Sequence, residues 1–208
     1  PVVLAAMAER PSTIRLGTAV ALGANNDPIR LAEDYATLDV LSGGRVELVV
    51  GRGNLYEHTY DAFGQDPALS RPMFEERVGL LVQALSEEQL DWSGEFRAPF
   101  RNYTTQPRPV QDSIPVWVGG GTSPESGEYA ARMGLPLMLP GVFAPPRFFL
   151  PLVERYREAW EEYGHPPQSC QVGTIAHTFM ASSSQEAFNV SGPRFKVYME
   201  WVRDLLRL

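Results

Sequence analysis

Apolar and polar positions along this chain switch repeatedly between a strand-like and a helix-like period, which predicts strands alternating with helices. Val2–Ala8 reads as the end of a helix, and Ile14–Leu22 is β-rich and closes on Gly23. Asp27-Pro28 supplies a capping acid and a proline at the first helical position. Ile29, Ala32, Tyr35, Ala36 and Val40 then fall on one side of a helix that Gly43-Gly44 terminates. Val46–Val50 is apolar except for Glu47 and runs into Gly51-Arg52-Gly53. A helix over about 71–86 is followed by a polar and aromatic stretch from Leu90 to Asp112, which reads as a hairpin or loop insertion.

The pattern resumes with a buried strand at Val116–Val118, then Gly119-Gly120-Gly121 and a short helix over Glu125–Met133. A strand at Leu135–Leu139 precedes a helix opened by Pro145-Pro146, with Phe149, Leu152, Val153, Tyr156, Trp160 and Tyr163 as its apolar stripe. Gly164 ends that helix, and Val172–Met180 is a further strand. Phe195, Tyr198, Trp201, Val202 and Leu205 recur at helical spacing up to Leu208. A chain that starts at Pro1 in a helix and stops in another reads as part of a longer protein. Five strands, apolar throughout and separated by helices, predict a parallel sheet covered on both faces.

Both a doubly wound sheet and a (β/α) barrel fit this alternation. A dinucleotide-binding turn needs a third glycine, but the position after Gly51 and Gly53 is Tyr56 and that after Gly119 and Gly121 is Pro124. A full barrel takes about 250 residues. Five strands and an insertion within 208 residues suit a partial (β/α)8 barrel, read as one domain over 1–208.

Composition narrows the chemistry. Apolar residues make up 44% and charged residues 21%, with a net charge of −7, which speaks against a nucleic-acid surface. No apolar run is long enough for a spanning helix, and a cytoplasmic location is expected. A single cysteine, Cys170, cannot form an internal disulfide, and no metal site is expected from the three histidines His58, His165 and His177. His58 falls in a loop beyond a strand end, His177 within a strand, and His165 after a helix C-terminus, near its last carbonyls. Trp117, Trp160 and Trp201 occupy positions expected to be packed.

The strongest local feature is Gly119-Gly120-Gly121-Thr122-Ser123-Pro124-Glu125-Ser126 between a strand and a helix. Glycines let an anion approach the backbone, and the hydroxyls of Ser123 and Ser126 stand at a helix N-terminus, where free N–H groups favour a phosphate. The same residues also suit an ordinary βα loop in which a serine caps the helix. Arg52, at another strand end, has a guanidinium suited to a phosphate, or to a surface ion pair.

Taken in order, Leu16-Gly17-Thr18-Ala19-Val20, Asp27-Pro28-Ile29-Arg30, Thr37 to Arg45, Gly51-Arg52-Gly53, Phe63-Gly64 and Ser123-Pro124-Glu125-Ser126 resemble the signature of the bacterial luciferase-like, flavin-dependent monooxygenases. Ala130-Ala131, Gly134-Leu135-Pro136 and Glu162-Tyr163-Gly164-His165 extend the likeness over nearly the whole chain. The resemblance implies a (β/α)8 barrel that binds reduced FMN at the C-terminal strand ends and uses O2 to oxygenate a small, aldehyde-like organic substrate. It implies a separate flavin reductase as partner, and a dimer for the full-length protein. Carried over, Arg52, Gly120, Gly121, Thr122, Ser123 and Ser126 match the positions around the flavin phosphate. Ala19 and Val20 match a non-proline cis peptide beside the flavin ring. Gly51 stands where some members have a reactive cysteine, and the catalytic histidine of the family would lie upstream of Pro1, so no catalytic residue is assigned. A deazaflavin hydride-transfer enzyme, a non-catalytic flavin-binding barrel, and a barrel acting on a phosphorylated sugar are the alternatives.

Overall fold

The computed structural model describes residues 1–10, 12–53, 57–121 and 123–206. Five parallel strands form one sheet: β1 (Ala19–Leu22), β2 (Leu48–Gly51), β5 (Val116–Gly119), β6 (Leu137–Leu139) and β7 (Val172–Thr174), adjacent in that order. Strand order follows chain order with no reversal, so the sheet has no topological switch point. This is the arrangement of a barrel arc rather than of a doubly wound sheet. Between β2 and β5 the antiparallel pair β3 (Leu90–Trp92) and β4 (Phe100–Tyr103) stands apart, so the 90–112 insertion contains a hairpin. The helices are α1 (Val2–Ala8), α2 (Pro28–Ser42), α3 (Glu57–Ala62), α4 (Ser70–Ser86), α5 (Pro124–Arg132), α6 (Leu150–Glu162) and α7 (Ser184–Leu206).

Helix α2 shows how local chemistry sets the boundaries. The Asp27 carboxylate accepts from the N–H groups of Ile29 (3.0 Å) and Arg30 (3.2 Å), which have no partner inside the helix. Gly43 stops the helix in the left-handed conformation at φ 66°. Arg45 then reaches back to the carbonyls of Ser42 and Ala8, each at 2.7 Å, and so joins the ends of α1 and α2. Asp39 is fully buried, yet its carboxylate accepts from the N–H groups of Val110 and Gln111 and from the Gln111 amide, at 2.7–3.0 Å. That carboxylate ties the return of the insertion to α2.

Leu48, Val50, Val116, Val118, Leu137 and Leu139 are buried in one core with side chains from α2, α4, α5 and α6. Val49 is in register with Trp117, and Met138 with Gly173, so these four share the opposite, inner face of the sheet.

Several boundaries differ from those read in the sequence. Only Ala19–Leu22 of the expected 14–22 strand is regular; upstream, a single bridge joins Leu16 to Val46. A Cβ on Gly17 would come within 2.6 Å of the Glu47 carbonyl oxygen, and the register of the β1–β2 pair shifts between Ala19 and Ala21. The 172–180 strand ends at Thr174, because its neighbour β6 ends at Leu139 and offers no further partner. His177 therefore lies outside the sheet, edge-on against Phe195 and Tyr198. Val40 (45% exposed) and Tyr163 (44%) face outwards, although their spacing had placed them on buried stripes. Trp160 is buried, Trp117 half-buried, and Trp201 exposed. In α7 only Val202 of the expected stripe is buried among the described side chains, which do not include that of Leu205.

Candidate functional site

Because the five strands are parallel, all their C-terminal ends lie on one rim. Arg52 follows β2 and Ser123 follows β5, and these two strands are direct neighbours, with Val50 opposite Val118. The glycine turn and the arginine singled out in the sequence thus share that rim.

A residue the sequence did not suggest completes the cluster. Arg71, second residue of α4, donates from Nη2 to Ser123 Oγ at 3.1 Å and lies 3.9 Å from a carboxylate oxygen of Glu125. The Ser123 hydroxyl also bonds to that carboxylate. Burial and the nearby Arg71 guanidinium both pull the Arg52 pKa below its ordinary value, while Tyr60 and Glu125 oppose the shift. The bond from Ser123 and the two arginines hold the Glu125 carboxyl below the usual carboxylate range. Two guanidinium groups with overlapping fields and one exposed carboxylate beside Arg71 leave this part of the rim with an excess of positive charge. Nothing in the spacing of Arg52 and Arg71 marks them as partners. The intervening 3-10 turn Pro67–Leu69, capped by the Asp66 carboxylate, delivers Arg71 to the rim at the start of a helix.

The remaining expected residues divide by role. Gly121 is exposed and has open space where a side chain would be. Gly120 is buried, and its N–H bonds to the Met138 carbonyl at 2.9 Å. A Cβ there would come 2.8 Å from a Leu152 methyl, so close packing accounts for this glycine. Ser126 is half-buried in the first turn of α5, with its N–H on the Ser123 carbonyl. Thr122 and Tyr56 lie outside the described residues, as does the side chain of His58. The His165 ring packs tilted against Trp160, centroids 4.8 Å apart, rather than on the helix carbonyls.

The Ala19–Val20 peptide bond is cis. Val20, 36% exposed, leans over two glycines: a Cβ on Gly51 would come 2.7 Å from Val20 Cγ2, and one on Gly119 would come 3.2 Å from Val20 Cγ1. A cysteine at position 51 would meet Val20 in the same way. Val20, Gly51 and Gly119 therefore form one small-residue surface across β1, β2 and β5, beside the rim that carries the arginines.

The sequence profile of the family described as Luciferase-like monooxygenase matches residues 1–202. The alkanal monooxygenase alpha chain of Photorhabdus luminescens is 31% identical over 153 residues, 73% of this chain and 41% of that one. The oxygenase component of a flavin-dependent trigonelline monooxygenase from Acinetobacter baylyi is 25% identical over 187 residues, 88% of this chain and 51% of that one. The crystal structure of monooxygenase RslO1 from Streptomyces bottropensis superposes with a TM-score of 0.86 at 28% identity, covering 99% of this chain and 62% of that chain. The chain spans about half the length of the curated relatives it matches.

Proposed function

The chain belongs to the luciferase-like monooxygenase family, and from that premise we propose that its rim cluster holds the phosphate of reduced FMN for the oxygenation of a small organic substrate. One observation carries the reading: Arg71 bonds to Ser123 of the glycine turn while its charge bears on Arg52. A phosphate monoester carries a charge of about −1.5 to −2 near pH 7, which matches two guanidinium groups. Charge-assisted contacts of this kind are about twice as strong as neutral ones.

Bound reduced flavin supplies the electrons for activating O2, with one oxygen atom passing to an aldehyde-like substrate. The protein's own contribution is to hold and to shield. Arg52 and Arg71 bind the phosphate, and Ser123 donates its hydroxyl once Glu125 releases it. The N-terminal end of the α5 dipole adds partial positive charge. Val20, raised over Gly51 and Gly119, gives the ring an apolar wall that keeps water from its face. A flavin reductase as partner and a dimer belong to the same reading, and Val2, Val3 and Met7 of α1 are exposed apolar side chains open to such a contact.

The test is anaerobic titration of reduced FMN into the protein carrying this chain, followed by oxygen uptake with an aldehyde. Tight FMN binding with substrate-dependent uptake supports the reading. Binding of a deazaflavin without oxygen uptake would move the reaction to hydride transfer. Binding of sugar phosphates with flavin absorbance unchanged would remove flavin altogether.

A further inference from the structure

The inner face of the sheet holds a cavity of about 170 Å³. Ala19, Val49, Met138 and Ile175 give it an apolar lining drawn from β1, β2, β6 and the residue after β7. Ala19 immediately precedes Val20, so the cavity adjoins the surface that Val20, Gly51 and Gly119 form. The charged groups around it are already engaged. Arg15 pairs with Glu47, and its Nη2 also donates to the Val46 carbonyl at 2.8 Å and to the Gln111 side-chain oxygen at 3.0 Å. The Thr18 hydroxyl bonds to the phenol of the buried Tyr35, and Thr174 adds only a neutral hydroxyl. A ligand entering this space meets apolar surface and no free charge, which fits a hydrocarbon chain and not an ion.

Met138 limits the cavity on one side. Gly119, Met138 and Gly173 are in register across β5, β6 and β7, and of the three Met138 alone carries a side chain. It leans over Gly173: a Cβ there would come 2.9 Å from Met138 Cε and 3.0 Å from Met138 Sδ. The Trp117 ring lies next to it, with Cζ3 3.2 Å from the same point. Truncating Met138 would therefore extend the cavity over the bare glycine as far as that ring. A flexible thioether, not the backbone, sets the boundary.

We propose that this cavity takes the unbranched hydrocarbon chain of the substrate, and that Met138 fixes the longest chain it accepts. The proposal rests on the flavin reading given above for the chemistry at the other end of that chain. Its test is the equilibrium binding of unbranched alkanols of increasing length, which share the shape of the aldehydes without their reactivity. They are titrated into the protein carrying this chain and into its Met138→Ala and Met138→Phe variants, with FMN affinity measured alongside. In wild type the affinity is expected to rise about fourfold per added methylene until the cavity is full, and to level off beyond that length. Met138→Ala is expected to move the levelling-off to longer alkanols and Met138→Phe to shorter ones, and Met138→Ala carries the test should Met138→Phe not fold. Affinity independent of length, or the same levelling-off in wild type and variants, overturns the proposal. Alkanol binding of the expected form in a protein that does not bind FMN would leave the chain site standing and overturn the flavin reading. FMN binding with no dependence on alkanol length would do the reverse.

Discussion

Val20 lies against the bare face of Gly51: a Cβ on the glycine would come 2.7 Å from Val20 Cγ2 and 3.3 Å from Val20 Cβ. The branched side chain on β1 uses the space that the missing side chain on β2 leaves. Gly51→Ala is therefore expected to destabilise the fold by about 1–3 kcal/mol, as overpacking in a filled site does. Val20→Ala in the same chain should recover most of that loss, because it removes both methyls nearest the new atom. Chemical denaturation of the two single variants and the double variant measures the coupling. Strictly additive losses would show that the two residues do not share the space.

Arg52→Ala and Arg71→Ala should each weaken FMN binding by about 1.5–3 kcal/mol, the value of a hydrogen bond to a charged group, or roughly 10–150-fold. Raising the salt concentration should narrow the difference from wild type, since the contact is electrostatic and near the surface. Calorimetric titration at two ionic strengths reads both effects. Equal affinity in wild type and Arg71→Ala would leave Arg71 as no more than the hydrogen-bond partner of Ser123.

Glu125 stands as an internal anion beside Arg71 and Ser123. Its carboxylate competes with an incoming phosphate for the same donors. Glu125→Gln removes the charge at nearly constant shape and is expected to raise phosphate affinity about 2–5-fold, the scale of an exposed charge pair. Reduced affinity in this variant would mean that the carboxylate supports the site instead of occupying it.

Parts of this arrangement were legible in the sequence because they depend on neighbours within a few residues. The Asp27-Pro28 start, the Gly43 stop and the strand-turn-helix at Gly119–Ser126 are short-range chemistry, and each appears where the residues placed it. The shared rim of Arg52 and Ser123 followed once the strands were recognised as parallel. Arg71 was not legible, since its role depends on the 3-10 turn that precedes it and on a contact spanning 52 residues. The outer limits of β1 and β7 were overestimated because β-propensity does not report where the neighbouring strand stops.

The buried Asp39 carboxylate ties the return of the insertion to α2. Asp39→Ala would leave the Val110 and Gln111 N–H groups without their acceptor and the Gln111 amide with only the Val46 carbonyl. The expected loss is about 3 kcal/mol or more in unfolding free energy, from several charge-assisted bonds removed at once. Thermal unfolding and amide exchange at Val110 and Gln111 measure it. Unchanged protection at those two amides would mean that another group holds the return of the insertion.

The position of the phosphate is the point on which the functional account turns, and a crystal structure of the protein with FMN reads it directly. The account predicts the phosphate within hydrogen-bond distance of the Arg52 and Arg71 guanidinium groups and the Ser123 hydroxyl, with the flavin ring towards Val20. A phosphate bound at the opposite end of the strands, or at this rim with neither arginine in contact, would contradict it.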